Sequence, residues 1–244
     1  MKPIVFATAL CALAMLAPQA EARMGLAAGQ CLSKFHSPQE RIEYCKSYAE
    51  DGVDTDQYTA AEYALGWAYR LAGDYPDAEA TMSKVMLLDS TWLNAWLERS
   101  TAYAEDGKYQ QALDDVEFIA THADDPSIAD MQRCWVRGVS GNDLALGLDD
   151  CNNAFAQHPG DFALLLARAM IYYKQGDMKD CIADLDAAID ARPKAAGAYF
   201  LRGVAKGADG QDDIDKAKDL EPYIDVEFAG YGVKPAAAQA APAK

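Results

Sequence analysis

Two stretches of this 244-residue chain align without a gap at a spacing of 34 residues, and that self-similarity constrains the fold more than any local pattern does. Gly66, Tyr69, Gly73, Tyr75 and Ala78 fall on Ser100, Tyr103, Gly107, Tyr109 and Ala112. A further copy in the same register carries Leu165, Ala169, Tyr172, Gly176, Cys181, Leu185, Ala188 and Pro193. Between them lies a copy whose second half, Asp150-Cys151-x-x-Ala154 through Pro159, is in frame with Asp184-Leu185-x-x-Ala188 through Pro193. Its first half, around Arg137-Gly138, stands three residues too close, so the turn at Gly141 to Asp143 must be tighter. A last copy, from Tyr199-x-x-Arg202-Gly203 to Pro222, is about five residues short.

The pattern has a physical reading as two helices that must approach closely. Small residues, Gly66 with Ala78 and Ser100 with Ala112, sit where backbones meet, and Tyr69, Tyr75, Tyr103 and Tyr109 fill the space beside them. Gly73, Gly107 and Gly176 are placed to end the first helix in the left-handed conformation that glycine adopts without strain. Pro159, Pro193 and Pro222 stop the second. No single pair buries its whole apolar face, so neighbouring copies must stack.

Leu65-Gly66-x-x-Tyr69 followed by Ala78, with Trp96 in the leading tryptophan slot of the next copy, resembles the tetratricopeptide repeat (TPR) from about Ala60 to Asp225. The resemblance implies an all-α, right-handed α-solenoid of about five helix-turn-helix repeats behind an N-terminal helical cap. It also implies a binding scaffold with no catalytic residues of its own. The cysteine-bearing opening, the Cys134-Trp135 and Asp150-Cys151-Asn152 phrases and the ending Phe228-x-x-Tyr231-Gly232 are similar to small exported repeat proteins of Gram-negative bacteria.

Lys2, the apolar run from Ile4 to Ala17 and the small residues of Ala20-Glu21-Ala22 read as a secretory signal peptide cut before Arg23. That run is shorter than the roughly 20 residues a membrane-spanning helix needs. The expected organisation is a signal peptide over 1–22, a helical cap over 23–58, a repeat domain over 59–226 and a C-terminal segment over 227–244 ending in an unfolded Ala/Pro tail. Export across the inner membrane places the mature chain in the periplasm, with no membrane span. The formal charge of −16 repels phosphate backbones, which argues against nucleic acid as a partner.

Export makes disulfides chemically allowed. Cys31 and Cys45 bracket a turn at Ser37-Pro38, and a bridge there would staple the opening segment onto the first repeat. Cys134 and Cys151 occupy facing slots on the two helices of the shortened copy and form the second expected bridge. Cys181 takes the small slot of Ala78 and Ala112 and is expected to be a free, buried thiol. A metal site or reactive thiol is the alternative, but no C-x-x-C occurs and no His stands beside a Cys, so neither metal nor cofactor is expected.

No constellation for catalysis emerges. His36, His122 and His158 are scattered, the last two near helix ends where an imidazole meets terminal carbonyls. Asp114-Asp115, Asp149-Asp150 and Asp184 recur in the same part of each second helix and read as features of the helix surface. A protein that is not an enzyme and binds another protein or peptide is the leading expectation. A structural or stability subunit of an envelope complex is the alternative, and a hydrolase the rival from another class. If the first helices line a concave face, that face carries Tyr63, Trp67 and Arg70, then Leu97 and Thr101, then Trp135, then Leu166, Met170, Tyr173 and Lys174, then Phe200. An aromatic and apolar lining suits an amphipathic helix or extended peptide. The competing reading is that several of these side chains close the interior between thin repeats.

Overall fold

The computed structural model describes residues 26–50 and 55–235. The signal peptide, the cut before Arg23 and the tail beyond residue 235 lie outside them. Every regular element among the described residues is a helix. These are α1 (Leu26–Cys31), α2 (Pro38–Glu50), α3 (Thr55–Ala72), α4 (Tyr75–Leu88), α5 (Leu93–Glu105), α6 (Tyr109–His122) and α7 (Ser127–Ser140). They continue as α8 (Leu144–Gln157), α9 (Phe162–Gln175), α10 (Met178–Ala191), α11 (Ala196–Lys206), a 3-10 turn (Gly207–Gly210), α12 (Gln211–Leu220) and α13 (Ile224–Gly230). The chain divides into two compact units, up to Ala129 and from Asp130, with the division inside α7.

In the first unit α3 packs on α4, α4 on α5 and α5 on α6, so each helix covers the apolar stripe of the next. Gly73 and Gly107 take φ of +78° and +75°, as their spacing predicts. The residue after each turns its N–H back onto the helix, Asp74 to the Tyr69 carbonyl at 2.9 Å and Lys108 to the Tyr103 carbonyl at 2.8 Å. Ala78, Ser100 and Ala112 are fully buried at the contacts. A Cβ on Gly66 would stand 2.9 Å from Met82 Cε, which shows how closely α3 and α4 approach.

Ahead of these pairs, α1 and α2 are joined by the Cys31–Cys45 disulfide. Ser37 and Glu40 cap α2 reciprocally: the Ser37 N–H donates to Glu40 Oε2 at 2.8 Å and the Glu40 N–H to Ser37 Oγ at 3.3 Å. Pro38 fills the first helical position, where a missing N–H costs nothing. The bridge lies inside one apolar cluster with Ile42 of α2 and Ala64, Leu65 and Ala68 of α3, so it pins the opening segment to the first repeat.

In the second unit α8 packs on α9, α9 on α10, α10 on α11 and α11 on α12. The Cys134–Cys151 disulfide joins α7 to α8, and Cys181 is free and buried. The three-residue shortening is absorbed at Gly141 and Asp143, with φ of +74° and +49°. Asp tolerates this left-handed region better than most side chains. The five-residue shortening of the last copy is absorbed where α11 meets the 3-10 turn: a Cβ on Gly210 would lie 1.8 Å from the Gly203 carbonyl oxygen, so the two backbones touch. The second helices α8, α10 and α12 stop at Gln157, Ala191 and Leu220, two residues before their prolines.

Candidate interaction face

The first helices carry all eleven expected lining residues, and only Tyr173 and Lys174 keep part of their surface. In the first unit, Tyr63, Trp67, Arg70, Leu97 and Thr101 are each less than a tenth exposed. Tyr63 stacks on Trp92 with ring centroids 5.4 Å apart. The Arg41 guanidinium of α2 lies 3.3 Å from the Trp67 ring centroid. Arg70 Nε donates to Glu98 Oε2 at 3.1 Å, and its Nη1 donates to Glu105, so an interior ion pair ties α3 to α5. Thr101 Oγ1 bonds the Leu97 carbonyl of its own helix at 3.0 Å. Burial raises the Glu98 carboxyl above its ordinary range, with Arg70 only partly opposing it. Burial, then the Glu98 charge, pushes the Tyr63 phenol well up.

The expectation of an open groove along these helices is therefore corrected: an amphipathic stripe as rich as Tyr63-Trp67-Arg70 is consumed by copy-to-copy packing. In the second unit Trp135, Leu166, Met170 and Phe200 are buried as well.

What covers part of the second unit's face is the chain's own C-terminal segment. Helix α13 packs against α11. Phe228 meets Phe200 of α11 with centroids 5.1 Å apart. Tyr231 meets Trp135 of α7 edge-on at 5.1 Å. Lys174 Nζ of α9 donates to the Tyr231 carbonyl at 2.6 Å. One short segment thus touches the first helices of three successive copies. The sequence signal for it was the Phe228-x-x-Tyr231-Gly232 ending.

A second set of side chains went unread. Arg99-Ser100, Arg137-Gly138, Arg168-Ala169 and Arg202-Gly203 place an arginine before the small slot of four copies, and each reaches an aspartate of the following helix. The pairs are Arg99 with Asp115, Arg137 with Asp150, Arg168 with Asp184 and Arg202 with Asp213. Asp115 and Asp184 are buried, so these aspartates are helix-to-helix clamps and not solvated surface features. Burial alone would raise Asp213, but Arg202 and Lys206 outweigh it and hold the carboxyl below its usual value. The repeated Arg-small dipeptide, read in register, was the available signal.

His122 stacks on Phe118 at 3.8 Å, and its Nδ1 lies 2.9 Å from the Phe118 carbonyl, the helix-end role its position suggested. Among the described residues no group of His, Cys, Asp and Glu is arranged to hold a metal ion, and no helix is long and apolar enough to cross a membrane.

Residues 162–195, spanning α9 and α10, match the tetratricopeptide repeat family. No curated protein matches the chain. Among solved structures, the APC/C hetero-tetramer Cut9–Hcn1 aligns over 90% of this chain and 51% of that one, at 15% identity and a TM-score of 0.54. This chain therefore spans about half of that protein's, and the likeness is one of fold. A tetratricopeptide repeat protein from Parabacteroides merdae aligns over 80% of both chains at 16% identity and a TM-score of 0.48. YrrB, described as a TPR protein with an unusual peptide-binding site, aligns over 77% of this chain and 97% of its own at 18% identity and a TM-score of 0.41. Residues 162–195 thus carry a tetratricopeptide repeat, and the all-helical pairs around it repeat the register of its glycines and small residues.

Proposed function

We propose that the protein is an exported scaffold that binds a short helical segment of another protein on the first-helix face of its second unit. The observation that carries this reading is the seating of α13, a short amphipathic helix, against Phe200, Trp135 and Lys174. A face that holds one such helix has the shape and chemistry to hold another. Repeat folds of this kind act as extended binding surfaces and not as enzymes, and no catalytic role is proposed. The export reading draws on the leader-like sequence of residues 1–22 and on two disulfides, which suit an oxidising compartment such as the periplasm. A structural subunit of an envelope complex is the second reading, and the interior packing of the first unit's lining favours it.

Site-directed photo-crosslinking tests the face. A benzophenone amino acid in place of half-buried Tyr173 should give a discrete protein adduct in intact cells, whereas the same group in place of exposed Leu146 on α8 should not. Equal adducts from both positions, or none from either, would remove this face as the binding site.

A further inference from the structure

The C-terminal segment packs on the second unit's own first helices. Ile224, Glu227, Phe228 and Tyr231 are all buried, an i, i+3, i+4, i+7 set that lies on one side of a helix. That spacing is how an amphipathic helix anchors itself in a groove on another molecule. Val226, on the opposite side, stays exposed, as does Tyr223 at the N-terminal end of the helix. The Tyr231 hydroxyl donates to Glu227 Oε1 at 2.7 Å, which fixes the ring that meets Trp135.

Two features make this occupant removable. Helix α13 has seven residues, well short of the roughly 12 to 15 that a helix needs to persist alone, so its order derives from the face beneath it. Lys174, half buried at the centre of that face, meets a neutral carbonyl there, and no carboxylate is paired with it among the described residues. Burial lowers the pKa of its ammonium, so the docked arrangement disfavours a charge that water would otherwise solvate.

Taking the first-helix face of the second unit as the binding surface proposed above, we infer that residues 224–233 are an internal competitor for it, and that the external partner presents a short helix with two aromatic anchors three residues apart. The segment closes the face when no partner is present. A partner must displace it, so its apparent affinity is the intrinsic one reduced by the fraction of molecules that are open.

The test uses the full chain and a fluorescent peptide of residues 222–235. The Phe228→Ser/Tyr231→Ser double variant removes the internal anchors and leaves the face intact. It should bind the peptide at least about tenfold more tightly than the unaltered chain, and its crosslink yield at position 173 should rise. A Gly232→Val variant keeps both rings but opposes the φ of +72°, and a Cβ there would stand 3.1 Å from Lys174 Nζ. It should raise peptide binding as well, and it decides the matter if the double variant does not fold. A folded double variant that binds no better than the unaltered chain overturns the inference, as does a Gly232→Val variant with unchanged binding. A position-173 adduct in the unaltered chain without either gain would leave the scaffold standing and sink only the internal competitor.

Discussion

Arg168 and Asp184 face each other through two parallel hydrogen bonds, Nε to Oδ2 at 2.7 Å and Nη2 to Oδ1 at 2.8 Å. The same fork joins Arg99 to Asp115 at 2.9 and 2.7 Å and Arg202 to Asp213 at 2.9 and 2.6 Å. In each case the guanidinium also lies by an aromatic ring, Phe155 at 4.5 Å for Arg168 and Tyr199 at 5.4 Å for Arg202. The clamp joins the first helix to the second just beside the small slot, where backbones are closest. Asp184→Ala should cost about 2 kcal/mol, because it strands a half-buried guanidinium. Arg168→Lys should cost about 1 kcal/mol by losing the planar fork. A double-mutant cycle between the two positions, read by urea unfolding, should give a coupling of about 1 kcal/mol or more, and strict additivity would show the clamp to be ornamental.

Close backbone approach is expected to be unforgiving at one glycine and lenient at another. Gly210→Ala would put its Cβ into the Gly203 carbonyl, with no side chain able to move aside, so the last copy should lose about 3 kcal/mol or more. Gly66→Ala meets the flexible end of Met82, and the helix propensity gained, about 1 kcal/mol, offsets most of the overpacking. Thermal melts of the two variants should therefore differ sharply although both glycines stand at close helix approaches.

The helix pairs and the glycine turns were legible because a period of 34 residues repeats the same steric demands, and Gly73 or Gly176 can be read without knowing its surroundings. The disulfides were legible because Cys134 and Cys151 occupy slots whose facing follows from the register. The openness of the face was not legible. Whether Trp67 or Met170 meets water depends on how tightly the copies wind and on what the chain's end does, and neither is a property of one repeat. The arginine clamps were within reach, but each aspartate taken alone looks like any acidic residue on a helix surface.

Buried Glu98 gives the first unit a pH signature. Burial raises its pKa above that of an ordinary glutamate, so the folded state holds the proton more tightly than the unfolded chain does. The associated stability is fully present below about pH 4.5 and is lost as pH rises through the higher folded value. Glu98→Gln removes this titration. The melting-temperature difference between the original chain and the variant should shift in the original's favour as pH is lowered toward 4.5, and a difference independent of pH would show that Glu98 titrates normally.

Cys181 should be silent in the native protein. Burial, then the charges of Asp184 and Asp177, pushes its thiol up to about 12, which leaves a vanishing thiolate fraction at pH 8. A thiol reagent should count no reactive group in the folded mature chain and one after denaturation without reductant, since the other four cysteines are bridged. The intact mass should correspond to a chain beginning at Arg23 with two bridges. Three or more titrated thiols in protein from an oxidising compartment would contradict the pairing.

The burial of the first-helix residues separates interior from face more finely than the register does. Trp67 is wedged under the Arg41 guanidinium, whose Nε also donates to the Cys31 carbonyl at 3.2 Å, so the ring supports both the cap and the first repeat. Met170 lies against the tightest part of α7, where a Cβ on Gly138 would come within 3.2 Å of its Cγ. Trp67→Ser and Met170→Ser should therefore each destabilise their own unit by about 3 kcal/mol or more, through a cavity and a hydroxyl placed in apolar surroundings. Tyr173→Ser should cost about 1 kcal/mol or less, because that side chain already keeps part of its surface in solvent. Denaturation of the three variants, followed by capture of the crosslinked partner on the folded fraction, separates packing from recognition. Loss of binding without loss of stability is expected for Tyr173→Ser and for neither of the others; the reverse assignment would place the partner on the side of the helices that this structure fills with its own core.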